Sequence, residues 1–190
     1  MILNDALSLA GLEAFISAGP GECGDEIAME QPSNLTMRLS IAVLDDTARL
    51  WRLLAVLTEH GVSPSQCTLW GGAGVLDDLK VPDTLAEPIR SDLAALLADA
   101  DGGVVLGSGV ELAVRSGASF DRLLRVSEGQ ELHWMHGELR RKLADQAARG
   151  GVVLLVNSNS SDQHTLAARL LLSHGSHDLH THEFTLRDHP

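Results

Sequence analysis

The stretch SHGSHDLHTHEF, Ser173 to Phe184, holds four of the chain's nine histidines: His174, His177, His180 and His182. In an extended strand side chains repeat every two residues, so His180 and His182 share one side and Glu183 faces the other. His177 falls in the preceding turn and could complete a three-nitrogen set around a divalent ion such as Zn, Ni or Cu, with water in the fourth position. The spacing H-x2-H-x-H is workable for a metal but matches no established signature. The same residues equally describe a solvated edge strand, or one that meets a second subunit. His133 and His136 are three apart in a predicted helix and therefore on one face, where they could join that site or line a groove beside Trp134. His60 and His174 each close a predicted helix, where an imidazolium is favoured by the helix dipole.

Other chemistry-bearing residues have structural explanations close at hand. Asp45-Asp46 and Asp77-Asp78 are acid pairs that could hold Mg²⁺ or move protons. Asp46, however, stands between a strand and a helix, where a carboxylate caps free N–H groups. WGGAGVLDD follows a strand and offers Gly72-x-Gly74. The third glycine of a dinucleotide fingerprint is replaced by Asp77, which would repel a pyrophosphate. Ser108 lies between two glycines without forming the G-x-S-x-G nucleophile elbow. The sequence contains no Walker motif, HExxH or CxxC. Cys23 and Cys67 read as free thiols in a reducing compartment.

Composition narrows the partners. A formal net charge of −12 and aromatics at 3% argue against a nucleic-acid surface, which needs cations and stacking faces. The basic knot Arg140-Arg141-Lys142 reads as the solvated side of a helix. No apolar run approaches the ~20 residues that span a bilayer, and the N-terminus has no basic signal region. The expected location is therefore the cytoplasm. Residues 1–36 carry six acids and no Lys or Arg. They read as an acidic arm, either flexible or outside the translated chain, since Met37 stands directly before the first strand.

The elements that would position these groups follow from periodicity. LSIAVL (39–44), CTLW (67–70), VVLLV (152–156) and LHTHEF (179–184) read as strands. The first and third are continuous enough to be buried on both faces, and the last alternates like an edge. Leu50, Leu53, Leu54 and Leu57 make a helical stripe, capped by Asp46 or Thr47 and stopped by Gly61. Leu166, Leu170 and Leu171 make another, capped by Ser160 or Ser161, with Gly175 after it. Strand, capped helix, His-Gly, strand thus occurs twice, over 38–72 and 150–187. Between them, 73–149 reads as a helical insertion. Pro88 opens a helix bearing Ile89, Leu93, Leu96 and Leu97, stopped by Gly102-Gly103. A second helix over 131–149 bears Leu132, Met135, Leu139 and Leu143. VVLGSGVELAVRSG fits a short helix or a hairpin. The expectation is an α/β sandwich over 37–190: a four-stranded ferredoxin-like sheet from two βαβ repeats with two helices on one face, plus the extra helices.

Two segments carry a family resemblance. ARGGVVLLVNSNSSDQHTLAARLLLSHGSHDLHTHEF resembles the C-terminal half of small bacterial general-stress or heat-induced-stress proteins of the YflT-like kind. IAVLDDTARLWRLLAVLTEHGV is similar to their first βα unit. The resemblance covers 38–72 and 129–187 and implies a stress-associated role, without an activity to carry onto particular residues. Three function classes are expected from residues and resemblance together. The first is a non-enzymatic stress-associated or regulatory module, acting by homodimerisation or on a protein partner. The second is a metal-binding protein using His177, His180 and His182. The third is a small-ligand sensor with a pocket between sheet and middle helices.

Overall fold

The computed structural model describes residues 35–98, 100–106, 110–117, 135–174, 176 and 178–186. In chain order they form β1 (Leu35–Leu44), α1 (Thr47–Glu59), a 3-10 turn (Pro64–Gln66), β2 (Cys67–Gly71), α2 (Ala73–Asp77), α3 (Glu87–Ala98), β3 (Ala100–Leu106), β4 (Val110–Ser116), α4 (Gly137–Ala148), β5 (Val152–Ser158), α5 (Ser161–Ser173) and β6 (Leu179–Leu186). The six strands make one sheet in the order β3-β4-β2-β5-β1-β6, antiparallel at every pairing. The mixed α/β class is as expected; the strand count is corrected from four to six.

The centre of the sheet is the β1–β5 ladder, in which Leu39 lies opposite Asn157, Ile41 opposite Leu155 and Leu44 opposite Val152. Residues 39–44 and 152–156 are buried throughout. Alternation then divides them between two cores. Ala42, Leu44, Val152, Leu154 and Val156 face α1, α5 and the buried leucines of α2 and α3. Leu39, Ile41, Val43, Val153 and Leu155 face the other way, with Trp70, toward Leu139, Leu143, Ala144 and Ala147 of α4.

This second core is why the insertion is only partly helical. A four-stranded sheet with helices on one face would leave those side chains in water. The structure covers them with α4, and widens the sheet with the β3–β4 hairpin, whose Val104, Leu106, Leu112 and Val114 lie in the same layer. VVLGSGVELAVRSG is therefore a hairpin. Gly102 and Gly103 do not stop a helix; they lie within β3, at a register shift between Ala100 and Gly103. A Cβ on Gly103 would stand 2.6 Å from Glu111 Oε1, so the exposed Glu111 side chain would have to move aside for a larger residue.

Helix ends follow the expected chemistry. Asp46 Oδ1 accepts from Ala48 N at 2.8 Å, and Ser160 Oγ accepts from Gln163 N at 3.1 Å. At the end of α1, Val62 N donates to Leu57 O and Gly61 N to Thr58 O, with Gly61 at φ +84°. That pair of hydrogen bonds closes the helix and requires the left-handed conformation glycine tolerates. Gly150, at φ +90°, ends α4 in the same way. The α4 helix is shorter than the 131–149 expectation; Leu132 and His133 lie outside the described residues, as does Gly175. Met37 is buried inside β1, whose first residue is Leu35.

Because Leu143 of α4 is fully buried in the second core, Leu143→Ala should lower the unfolding free energy by about 2–5 kcal/mol in urea titration. Leu172→Ala, at a side chain 58% exposed, should change it by less than about 0.5 kcal/mol. Equal effects from the two would contradict a core on the α4 side.

Candidate functional site

The expected histidine site is on β6, an edge strand of the sheet, which among the described strands pairs with β1 alone. The ladder places His180 opposite Ile41 and His182 opposite Leu39. Opposed residues share a face, so both imidazoles stand on the α4 side, extending the row of Ile41 and Leu39 to the rim. Thr181 and Glu183, opposite Ser40 and Arg38, stand on the α5 side and are exposed.

The two imidazoles are only partly exposed, and their Nε2 atoms are screened from solvent. The Nε2 of His180 has no hydrogen-bond partner among the described residues. Burial lowers the pKa of His182, and the neighbouring His180 lowers it further, because a second positive charge there would be both desolvated and repelled. His182 is thus held in the form whose ring nitrogen can accept a hydrogen bond or bind a metal. His177 lies outside the described residues, and so does His133. Among the described residues no group of three or more His, Cys, Asp or Glu is placed to hold a metal ion. His136, exposed at the start of α4, is used as its cap: Nδ1 accepts from Glu138 N at 3.3 Å.

The α5 side of the same edge carries a polar cluster that the strand pattern does not announce. Arg38 on β1 pairs with Glu183 on β6, Nε to Oε2 at 3.2 Å. Beside it, the fully buried Ser40 has its Oγ 3.3 Å from His164 Nδ1 on α5. Burial pushes the His164 pKa down, Glu183 pulls it up, and Arg38 pushes it down again. Ser40 is closed to solvent, so this Ser–His contact fastens α5 to the edge rather than presenting a nucleophile. Its one sequence signal is polarity: Ser40 and Arg38 interrupt the apolar run of the strand from Met37 to Leu44.

The remaining candidates are placed in structural roles. Asp46 caps α1, Asp77 Oδ1 accepts from Arg115 Nη2 at 2.6 Å, and Asp78 closes α2. Gly72 precedes α2, a helix of five residues that is too short to serve as a phosphate cradle. Cys67 is buried and its thiol is pushed up to about 12 by desolvation. Ser108 and Cys23 lie outside the described residues. His60 Nδ1 donates to Val56 O of its own helix at 2.8 Å. In the Arg140-Arg141-Lys142 run, Lys142 Nζ bonds Asp178 Oδ1 at 2.6 Å, tying α4 to the start of β6. No described helix is long and apolar enough to cross a membrane.

Both His182 and His164 have folded pKa values below the unfolded imidazole value of 6.5. The unfolded chain therefore binds more protons just below that pH. The associated stability is complete above pH 6.5 and is lost as the pH falls from there toward the folded values. Thermal unfolding followed from pH 8 to pH 5 should show a smaller loss for His182→Gln than for the unaltered protein. Parallel curves would show that His182 is not desolvated. No protein-family model, curated protein or solved structure matches this chain, and the site stands on its own geometry.

Proposed function

We propose that the protein is a non-enzymatic α/β module that acts by contact with a second copy of itself through the edge of β6. The observation that carries this is the position of β6: it pairs with β1 on one side, and no described strand lies on the other. An unpaired edge offers a row of backbone donors and acceptors that a like strand satisfies. Asp46 caps α1, Asp77 is ion-paired and the described cysteine is buried, which supports a non-catalytic reading. The order β6-β1-β5-β2 supports a ferredoxin-like core. In it β1–α1–β2 and β5–α5–β6 interlock, and β3, β4 and α4 are additions to it. The likeness of the second unit to bacterial general-stress proteins supports a stress-associated, cytoplasmic role.

Thr181 is exposed on β6, so Thr181→Lys should leave the fold intact while placing a charge at the contact. Sedimentation at ~100 µM should find the unaltered protein dimeric, as a Kd of ~1 µM (about −8 kcal/mol) requires, and the variant monomeric. A monomeric unaltered protein at that concentration would refute the proposal.

A second reading, metal binding, is favoured by the two Nε2 atoms on one face of β6. His177, His180 and His182 would be the ligands, and Zn is the ion that best suits three imidazoles. Elemental analysis of untagged protein should then find about one ion per chain, lost in the His180→Ala, His182→Ala double variant. Metal-free protein recovered from zinc-supplemented buffer would remove this reading.

A further inference from the structure

A groove of about 530 Å³ runs beside α1, far along the chain from the histidines of β6. One wall is the helix itself, with Ala48, Trp51, Arg52, Ala55, Val56 and Glu59 recurring at helical spacing. The other is the segment after α2, through Lys80, Pro82, Thr84 and Leu85. Past Thr47 and Trp51 the groove continues into a recess of about 410 Å³ that Lys80 also lines. Its size is that of sites for small organic molecules, roughly 300–1,000 Å³, and its walls are mainly apolar around a few polar groups.

The polar groups are what specify a ligand. The chain carries 26 acids against 14 Lys and Arg. Arg38, Arg90, Arg115 and Lys142 are each paired with a carboxylate. Arg52 and Lys80, one on each wall, have no carboxylate within ion-pairing distance among the described residues. Asp83, three residues after Lys80, faces Arg90 at 3.4 Å. Two acids share the lining, Glu59 in the groove and Asp78 in the recess, and neither is within ion-pairing distance of Arg52 or Lys80. Arg52 and Lys80 are exposed and hydrated, and as two cations not engaged by carboxylates beside an apolar trench they suit an anion that brings its own apolar body. The net negative charge of the chain does not forbid this, since its distant charges are screened beyond ~8 Å at physiological ionic strength.

The geometry points to a binding site for a small organic anion: a ring-sized apolar body lying along Ala48, Trp51 and Ala55, with its carboxylate or phosphate between Arg52 and Lys80. Inorganic phosphate would leave the apolar wall unused. A neutral ring would leave the cations unpaired. The site is independent of the β6 edge and would add an effector to the proposed module.

Benzoate and phenyl phosphate serve as the probes, with benzyl alcohol and inorganic phosphate as controls, in calorimetric titration of the full chain. At least one organic anion should bind saturably with a Kd of ~1 mM or tighter, and both controls at least ~10-fold more weakly. The stronger of the two anions identifies the head group. The double variant Arg52→Gln, Lys80→Gln should lose ~100-fold in affinity, because each charge-assisted bond is worth about a decade. Arg141→Gln, an exposed cation on α4, should lose none. Thr181→Lys should bind as the unaltered protein does, so failure of the edge contact and failure of this site are read separately. Absence of saturation by either anion, or an equal loss in Arg141→Gln, would overturn the site.

Discussion

The rest of the structure depends on the double burial of β1 and β5. From Leu39 to Leu44 and from Val152 to Val156 every residue is buried, and the two segments pair with each other. A strand that is apolar on both sides cannot lie against water on either. Packing α1 and α5 on one side solves half of that problem. The other half, Leu39, Ile41, Val43, Val153 and Leu155, demands a second cover. The long connection between β2 and β5 exists in this fold as that cover. Leu139, Leu143, Ala144 and Ala147 form the apolar stripe of α4 that meets these side chains. At ~25 cal/mol per Å² of apolar surface removed from water, such a layer outweighs any single polar contact in the molecule.

The two strand–helix–strand units are also clasped to one another by side-chain amides. Gln163, in the first turn of α5, accepts from Asn159 N at 2.8 Å and donates to Gly61 O, past the end of α1, at 3.0 Å. Its amide also meets that of Gln66, which donates to Asn157 O at 3.0 Å and accepts from Ser63 N at 3.1 Å. Gln66 is 5% exposed, so each of these bonds satisfies a group that burial would otherwise penalise by ~1–3 kcal/mol. The clasp links the end of α1, the 3-10 turn, the end of β5 and the start of α5. It lies on the α1/α5 side of the sheet and leaves the β6 rim to the Arg38–Glu183 and Ser40–His164 contacts.

What was legible in the sequence was local. Asp46, Ser160, Gly61 and Gly150 mark helix ends through bonds made within a few residues, and the structure makes those bonds. The uninterrupted apolar runs at 39–44 and 152–156 announce strands buried on both faces, and the alternation at 179–184 announces an edge. The β3–β4 hairpin was legible only as one of two alternatives, a short helix being the other. Val104 and Leu106 alternate as a strand should, yet Gly102-Gly103 before them carry the usual mark of a helix stop. Their strand state is decided by pairing with β4 and by the need to extend the second core, which are non-local effects. The Ser40–His164 contact and the Gln66–Gln163 clasp join residues far apart in sequence, so no spacing rule points to them. The groove beside Trp51 was hidden for a related reason. Trp51 belongs to the helical stripe by periodicity and is nearly buried, and only the return of the chain past Lys80 makes its surroundings a cavity.

The edge itself is built on a conflict between two layers. Ile41 and Leu39 need an apolar neighbour on the next strand, and β6 supplies imidazole instead. A neutral ring satisfies the packing, which is why burial disfavours the charged form of His182. It does so at the cost of a nitrogen, His180 Nε2, screened from water without a bond among the described residues. A buried polar atom left in this way costs ~1–3 kcal/mol, and whatever completes it recovers that energy. The central strands' apolar layer thus runs out at the β6 rim, and the double burial at the sheet's centre sets the chemistry at its edge.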